Sequence, residues 1–410
     1  MNSTPDFVGG KYANSREWLG DLVQLPSINP AGKLNPDPAL HGEGRVTAWL
    51  EIWAKQKNIP CFRQPVFPDR DNLVLDWNPW KQKKLQKNCA PKTILWEVHQ
   101  DTVGIDGMCV PPFAGNPIGG KLFGRGSCDV KGTMAAMLSA LDRLALEKPP
   151  GAPRIILACT VDEEHTFQGV QHLRGPIKGT IQLGEKELCR PDYAVVAEPS
   201  SLGLIVAHKG VVRWNLLVEG IACHSSTPWE GSNAITTAGL IVAKISKLLN
   251  IIPNGIQNGS ICVTQIHGGS APNVVPGKCE ILIDRRLGLG ECPIIAENQL
   301  RAFLEKEIHP ASGTKIVLPP PLIRCPPLRP EGNEKAVLAT EKAILSVIGN
   351  CLYSQVPFGT DASTLAEHGI PCVVFGPGNI IQAHTRDEWI DLSEVEKAAD
   401  ILFTLAAGYE

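Results

Sequence analysis

Four stretches of this chain run apolar without interruption and then stop at groups that chemistry uses. Residues 155–159 read Ile-Ile-Leu-Ala-Cys and are followed closely by Asp162, Glu163 and Glu164. Residues 93–98 end at His99 and Asp101, and residues 193–196 at Glu198. Residues 371–375 lead into Gly376, Pro377 and Gly378 and then His384. Unbroken apolar runs of this length predict strands covered on both faces, as in a parallel sheet. In open α/β sheets, ligands sit in the crevice beyond the carboxyl ends of such strands. Four strands delivering His, Glu, Glu and His to one edge therefore predict a metal site. A solvated acidic turn would account for the three acids at 162–164 taken alone. A cation accounts for them together with the other three runs.

The rest of the pattern places these strands in a larger frame. Trp18, Leu19, Leu22 and Val23 recur at helical spacing, as do the apolar residues of 46–54; a strand follows at 72–77. Residues 81–92 are rich in lysine and read as a solvated loop. A helix opens near Gly132, with Met134, Met137, Leu138 and Leu141 on one stripe. Asp129 then sits just ahead of that helix, a position that also suits a capping residue. From about residue 210 the texture changes to alternation. Residues 211–219, 261–267 and 279–286 read as strands with one polar face, and 315–318 as a further strand. Helical stripes lie at 235–248 and 294–308, so the order is β-α-β-β-α-β, that of a ferredoxin-like sandwich. Prolines at 319–321 and 326–327 mark its exit, and 334–348 is helical again. The expected fold is α/β, with 1–209 and 321–410 forming one catalytic domain and 210–320 an inserted α+β domain.

Composition narrows the class without changing the picture. The chain has 410 residues, 43% hydrophobic and 20% charged, with net charge −3. That balance offers neither nucleic acid nor an anionic membrane as partner. The first residues lack a basic segment followed by an apolar one, and no apolar run approaches a membrane span. The cysteines number 13, an odd count, and none form a CxxC pair, so no disulfide framework or thiolate zinc knot is suggested. A cytoplasmic location is expected.

His99, Asp129, Glu164, Glu198 and His384 together offer imidazole and carboxylate donors, a mixture that suits zinc and related first-row ions. With Asp129 shared between two ions, each ion has one histidine, one further carboxylate and an open position. Asp101, two residues after His99, is placed to orient its imidazole. Glu163, beside Glu164 but pointing elsewhere, is left as a general base.

The set His99-x-Asp101, Gly126-Ser127-x-Asp129-x-Lys131-Gly132, Asp162-Glu163-Glu164, Glu198-Pro199 and His384 resembles the co-catalytic zinc amidohydrolase/peptidase family. That family includes acetylornithine deacetylase, succinyl-diaminopimelate desuccinylase, aminoacylase and glutamate carboxypeptidase. The resemblance implies a zinc-binding α/β domain interrupted by a ferredoxin-like dimerisation domain, hence a homodimer holding two zinc ions, or cobalt, in each subunit. His99 and Glu198 would hold one ion and Glu164 and His384 the other, with Asp129 bridging. It also implies that His224 reaches a neighbouring subunit's site to support the oxyanion, and that Asn273 and Arg286 bind substrate. Taken singly, each of these three has a structural reading too; Arg286 could be an exposed strand residue. The segments 376–384 and 359–362 look most like the acetylornithine deacetylase branch.

The expected reaction is hydrolysis of the amide of an N-acyl amino acid, foremost N-acetylornithine. Desuccinylase, dipeptidase and carboxypeptidase activities compete with it. Asp361, expected in a loop ahead of the last strand, would pair with the cationic end of an ornithine-like substrate. A catalytically silent scaffold would show damage to the ligands or base, whereas all five ligands and Glu163 are present.

Overall fold

A computed structural model describes residues 15–80, 92–184, 187–248, 255–310 and 312–408. The expected lysine-rich loop lies outside these residues except for Lys92. The chain divides into two compact units. The first comprises residues up to 206 together with 330–354 and 360–410; the second comprises 207–329 and 355–359.

The first unit is built on an eight-stranded sheet. Its strands in chain order are Cys61–Phe67 (β1), Arg70–Trp77 (β2), Thr93–His99 (β3), Arg154–Thr160 (β4), Tyr193–Ala197 (β5), Leu204–His208 (β6), Tyr353–Val356 (β7) and Cys372–Phe375 (β8). Their spatial order is β1-β2-β4-β3-β5-β8-β6-β7. The central pairs β4–β3, β3–β5 and β5–β8 are parallel. β1–β2, β2–β4 and β8–β6 are antiparallel, so the sheet is mixed.

The unbroken apolar runs are the parallel centre. Every residue of β3, β5 and β8 is buried. Fully burying a side chain such as Ile94, Leu95 or Val98 contributes about 1.5–3 kcal/mol, which is why strands of this composition cannot sit at an edge. Helices Gly132–Glu147, Glu334–Ile348 and Leu392–Ala407 supply much of the core packed on the sheet. The last of them begins at Asp391, whose carboxylate accepts the Ser393 N–H at 2.8 Å and caps the helix.

The second unit has the strand order expected of a ferredoxin-like sandwich. Ser260–Gly268, Lys278–Leu287, Gly210–Glu219 and Lys315–Val317 lie side by side in that order, all pairs antiparallel. Ile323–Cys325 adds a short strand against Gly210–Glu219. Helices Ala234–Ile245 and Pro293–Glu307 pack on one face through Ile241, Ile245, Leu300 and Phe303. Alternation in Gly210–Glu219 reflects this one-sided core: Val212, Trp214, Leu216 and Val218 are buried. Among the described residues, no helix is long and apolar enough to cross a membrane.

Candidate metal centre

The parallel strands β4, β3, β5 and β8 end on one edge, and their carboxyl ends carry the candidate ligands. His99 is the last residue of β3, and Glu198 directly follows β5. Glu163 and Glu164 lie in the turn beyond β4, and His384 lies in the segment beyond β8. Asp129 comes from the irregular turn Ser127–Lys131, which precedes helix Gly132–Glu147.

Two clusters share Asp129. In one, donor atoms of His99, Asp129 and Glu198 lie within 4.8 Å of one another; in the other, those of Asp129, Glu164 and His384 do. The two carboxylate oxygens of Asp129 face different histidines. Oδ1 is 3.1 Å from His99 Nε2, and Oδ2 is 3.1 Å from His384 Nε2. His384 Nε2 also lies 3.1 Å from Glu164 Oε1.

Electrostatics show why such a group wants cations. Burial pushes Glu163, Glu164 and Glu198 above the usual carboxylate range, and the neighbouring carboxylates push the same way, Asp129 on all three. Burial also opposes ionisation of Asp129, but hydrogen bonds from His384 and His99 hold it below the ordinary value. For His384, burial favours the neutral ring, yet its bonds to Asp129 and Glu164 push it up to about 11. Three acids and two imidazoles, with Asp129 shared, offer each of two divalent ions one imidazole and two carboxylates. The residues therefore fit a pair of metals.

Hydrogen bonds hold the acidic turn in place. The Asp101 carboxylate accepts the Glu163 N–H at 3.2 Å, the Glu164 N–H at 3.1 Å and the Asn29 amide at 2.7 Å. Its backbone carbonyl lies 3.0 Å from His99 Nδ1, leaving Nε2 to face Asp129. Asp162 adopts φ 70°, and its Oδ1 accepts from Asn29 at 3.1 Å and from Arg70 at 3.2 Å. Arg70 in turn grips Glu43, both bonds being 2.6 Å. Asn29, Glu43 and Arg70 thus set the direction of the Glu163 backbone, and none of them stands in a motif of its own.

Asp361 is found elsewhere than in a loop. It is the first residue of helix Asp361–Glu367, behind the capping residue Thr360, and is 1% exposed. Thr160 Oγ1 lies 2.6 Å from Glu97 Oε1 and 3.3 Å from Asp361 Oδ2, so two buried acids meet at one hydroxyl. Burial and the nearness of Glu97 push Asp361 well up, and burial pushes Glu97 up to about 7.

The remaining candidates lie in the second unit. Residues around His224 and Asn273 pair directly: the Ser225 N–H donates to the Asn273 carbonyl at 2.9 Å, and the Val275 N–H to the Cys223 carbonyl at 2.9 Å. His224 Nδ1 is 2.7 Å from Ser226 Oγ. Arg286 does not join them. It pairs with Val211 near one end of a long ladder, whereas Glu219 and Lys278 close the other end, beside the turn that carries His224. Arg286 donates to Asp284 at 2.8 Å.

This frame is that of a known class. The model of peptidase family M20/M25/M40 matches residues 95–408, and the chain belongs to that family. It is a metal-dependent peptidase or amidohydrolase. An acetylornithine deacetylase from Pectobacterium carotovorum is 30% identical over 332 residues, covering 75% of this chain and 78% of that protein. A probable carboxypeptidase from Aspergillus oryzae is 28% identical over 406 residues, 92% of this chain and 86% of that one. Among solved structures, an M20 family metallo-carboxypeptidase from Sulfolobus solfataricus superposes with TM-score 0.70 at 16% identity, covering 96% of this chain and 98% of that one. A dinuclear metal-binding M20 peptidase from Bacillus subtilis gives TM-score 0.61 at 14% identity, covering 96% of each. At such identities the structural likeness speaks for the fold.

Proposed function

We propose that the chain hydrolyses the amide bond of an N-acyl amino acid, N-acetylornithine foremost, using two zinc ions. The observation that carries this reading is the shared Asp129, with one oxygen toward His99 and the other toward His384. In this reading His99 and Glu198 hold one ion, Glu164 and His384 the other, and Asp129 both. Zinc, or cobalt in its place, would polarise the scissile carbonyl and acidify water. Glu163 is a buried carboxyl beside a ligand, outside both clusters. It takes the proton of the attacking water and hands it to the leaving amine. Asp101 keeps His99 oriented. Arg286 and Asn273 hold the substrate carboxylate and amide, Asp361 the cationic end of the side chain, and His224 steadies the oxyanion.

The Pectobacterium relative supports acetylornithine as substrate; the Aspergillus relative, matched over more of the chain, favours a carboxypeptidase as the second reading. Zinc- and cobalt-loaded enzyme assayed on acetylornithine, succinyl-diaminopimelate and a dipeptide panel decides between them. A preference of tenfold or more in kcat/KM for acetylornithine is expected, which would give the enzyme a place in cytoplasmic arginine synthesis. A like preference for a dipeptide would remove the deacetylase reading.

The same proposal includes a homodimer. The exposed edge strand Ser260–Gly268 offers unpaired backbone to a second copy, and His224 is delivered from the partner subunit. Mixing inactive Glu163→Ala and His224→Ala chains should restore activity, up to about half of wild type per mixed dimer by reciprocity of the interface. Exchange of subunits without recovery would rule out delivery in trans.

A further inference from the structure

Glu388 lies outside both metal clusters yet is wholly buried, and its carboxylate accepts four N–H bonds from residues 125–129, the segment that leads into and carries Asp129. Oε2 accepts from Arg125 Nη1 at 2.6 Å and from the Gly126 N–H at 3.1 Å. Oε1 accepts from the Cys128 N–H at 2.9 Å and the Asp129 N–H at 3.0 Å. The Glu388 backbone carbonyl accepts the Gly124 N–H at 2.9 Å. Arg125 meanwhile donates to the carbonyls of Gly104 at 2.9 Å and Thr385 at 3.3 Å. Thr385 is the neighbour of His384, whose backbone takes φ 59° and whose side chain is 49% exposed. On the far side of Glu388, the strand Trp389–Asp391 pairs with Lys121–Phe123. One side chain therefore stitches the segment bearing His384 to the segment bearing Asp129.

We infer that Glu388 is a positioning residue that sets the Asp129 carboxylate in register with His384, so that the Asp129–Glu164–His384 cluster depends on it more than its neighbour does. The asymmetry follows from how the ligands are delivered. His99 and Glu198 stand at the ends of β3 and β5, whose ladders do not involve Glu388. Displacing Asp129 disturbs both clusters, but freeing the 384–388 segment disturbs only one. An amide at 388 would turn an NH2 toward backbone N–H donors or toward Arg125, and would leave that buried guanidinium without its carboxylate. This inference rests on reading both clusters as metal sites.

The test is cobalt binding to metal-free protein by calorimetry, on wild type, E388Q, E388D and E394Q, with circular dichroism to confirm folding. Wild type is expected to bind two ions. E388Q should bind one with little change and the other about 10–100-fold more weakly, as other outer partners of ligands do. E388D retains the charge for Arg125 but is one carbon shorter, and should show the same one-sided loss if E388Q does not fold. Glu394 accepts the Gly378 N–H at 2.8 Å in the same region, and E394Q should bind both ions as wild type does. Undiminished binding of both ions in E388Q and E388D would overturn the inference, as would equal weakening of the two. Wild type binding fewer than two ions would instead overturn the two-metal reading, and this inference with it.

Discussion

The two halves of the centre use the same donor types and are built in opposite ways. His99 and Glu198 are 3% and 5% exposed and lie at the ends of fully buried strands. His384 sits in an irregular segment with a left-handed backbone, its side chain half exposed. Its partner Glu164 stands in a tight turn held through Asp101. A ligand at a strand end inherits the rigidity of the ladder and of the packed core beneath it. A ligand on a loop has to be held by side-chain hydrogen bonds, which is the work of Glu388, Arg125, Asp101 and Asn29 here. The second half of the centre is therefore where exchange of metal and adjustment to substrate are expected.

The largest effect tests the acid that belongs to neither half. Glu163→Ala should lower kcat by about 10²–10⁴-fold, the range for a general base, with both ions retained by elemental analysis. Loss of metal in parallel with activity would make Glu163 a ligand and dissolve the distinction. Next come the histidines themselves. His99→Ala leaves a buried cavity and uncompensated Asp101 and Asp129, and should destabilise the metal-free protein by about 3–5 kcal/mol. His384→Ala also takes a partner from the buried Asp129 and Glu164 carboxylates, but its ring is half exposed, so it should destabilise the metal-free fold less than His99→Ala does, while removing one ion. Equal shifts in the denaturation midpoints of the two variants would break the comparison.

A third histidine sharpens it. His208 is as buried as His99, yet burial lowers it to about 4, opposed only weakly by its 2.9 Å contact with the Lys209 carbonyl. Carboxylate neighbours make the difference in sign, since burial lowers His99 as well and its bonds to Asp101 and Asp129 override it. Between pH ~6.5 and about 4 the unfolded chain takes up the His208 proton before the folded one does. This histidine therefore withdraws stability as pH falls through that window, on the order of 3 kcal/mol in full. His208→Gln should flatten that part of the stability–pH curve; an unchanged slope would exclude His208 as its source.

The smallest expected effect concerns Asp361. Asp361→Asn should lower kcat/KM on acetylornithine about tenfold more than on a neutral acetylated amino acid, the worth of one charged hydrogen bond. Equal losses on the two substrates would assign Asp361 to its contacts with Thr160 and Glu97 alone.

The hydrophobic pattern by itself determined the elements that carry the centre. Residues 93–98, 155–159, 193–196 and 371–375 can satisfy their apolar side chains only between two covered faces, and a polar residue ending such a run is placed at the sheet edge wherever the strand goes. The switch to alternation near residue 210 likewise marked a one-sided sheet. Some local signals were there to be used as well: Asp391 ahead of an apolar stripe announces the helix Leu392–Ala407, to which the sequence reading assigns no element. Asp361 stands behind Thr360 as the start of a short helix rather than in a loop. What only the tertiary structure decided is which residues support the ligands. Glu388 meets Asp129, Asn29 meets Asp101 and Asp162, and Arg70 meets Glu43. Each of these contacts joins residues far apart along the chain, between side chains that fit many local settings equally well. Periodicity reports which face of an element is buried; it carries no record of which distant carboxylate comes to rest on which N–H, because that choice is made by how the elements pack.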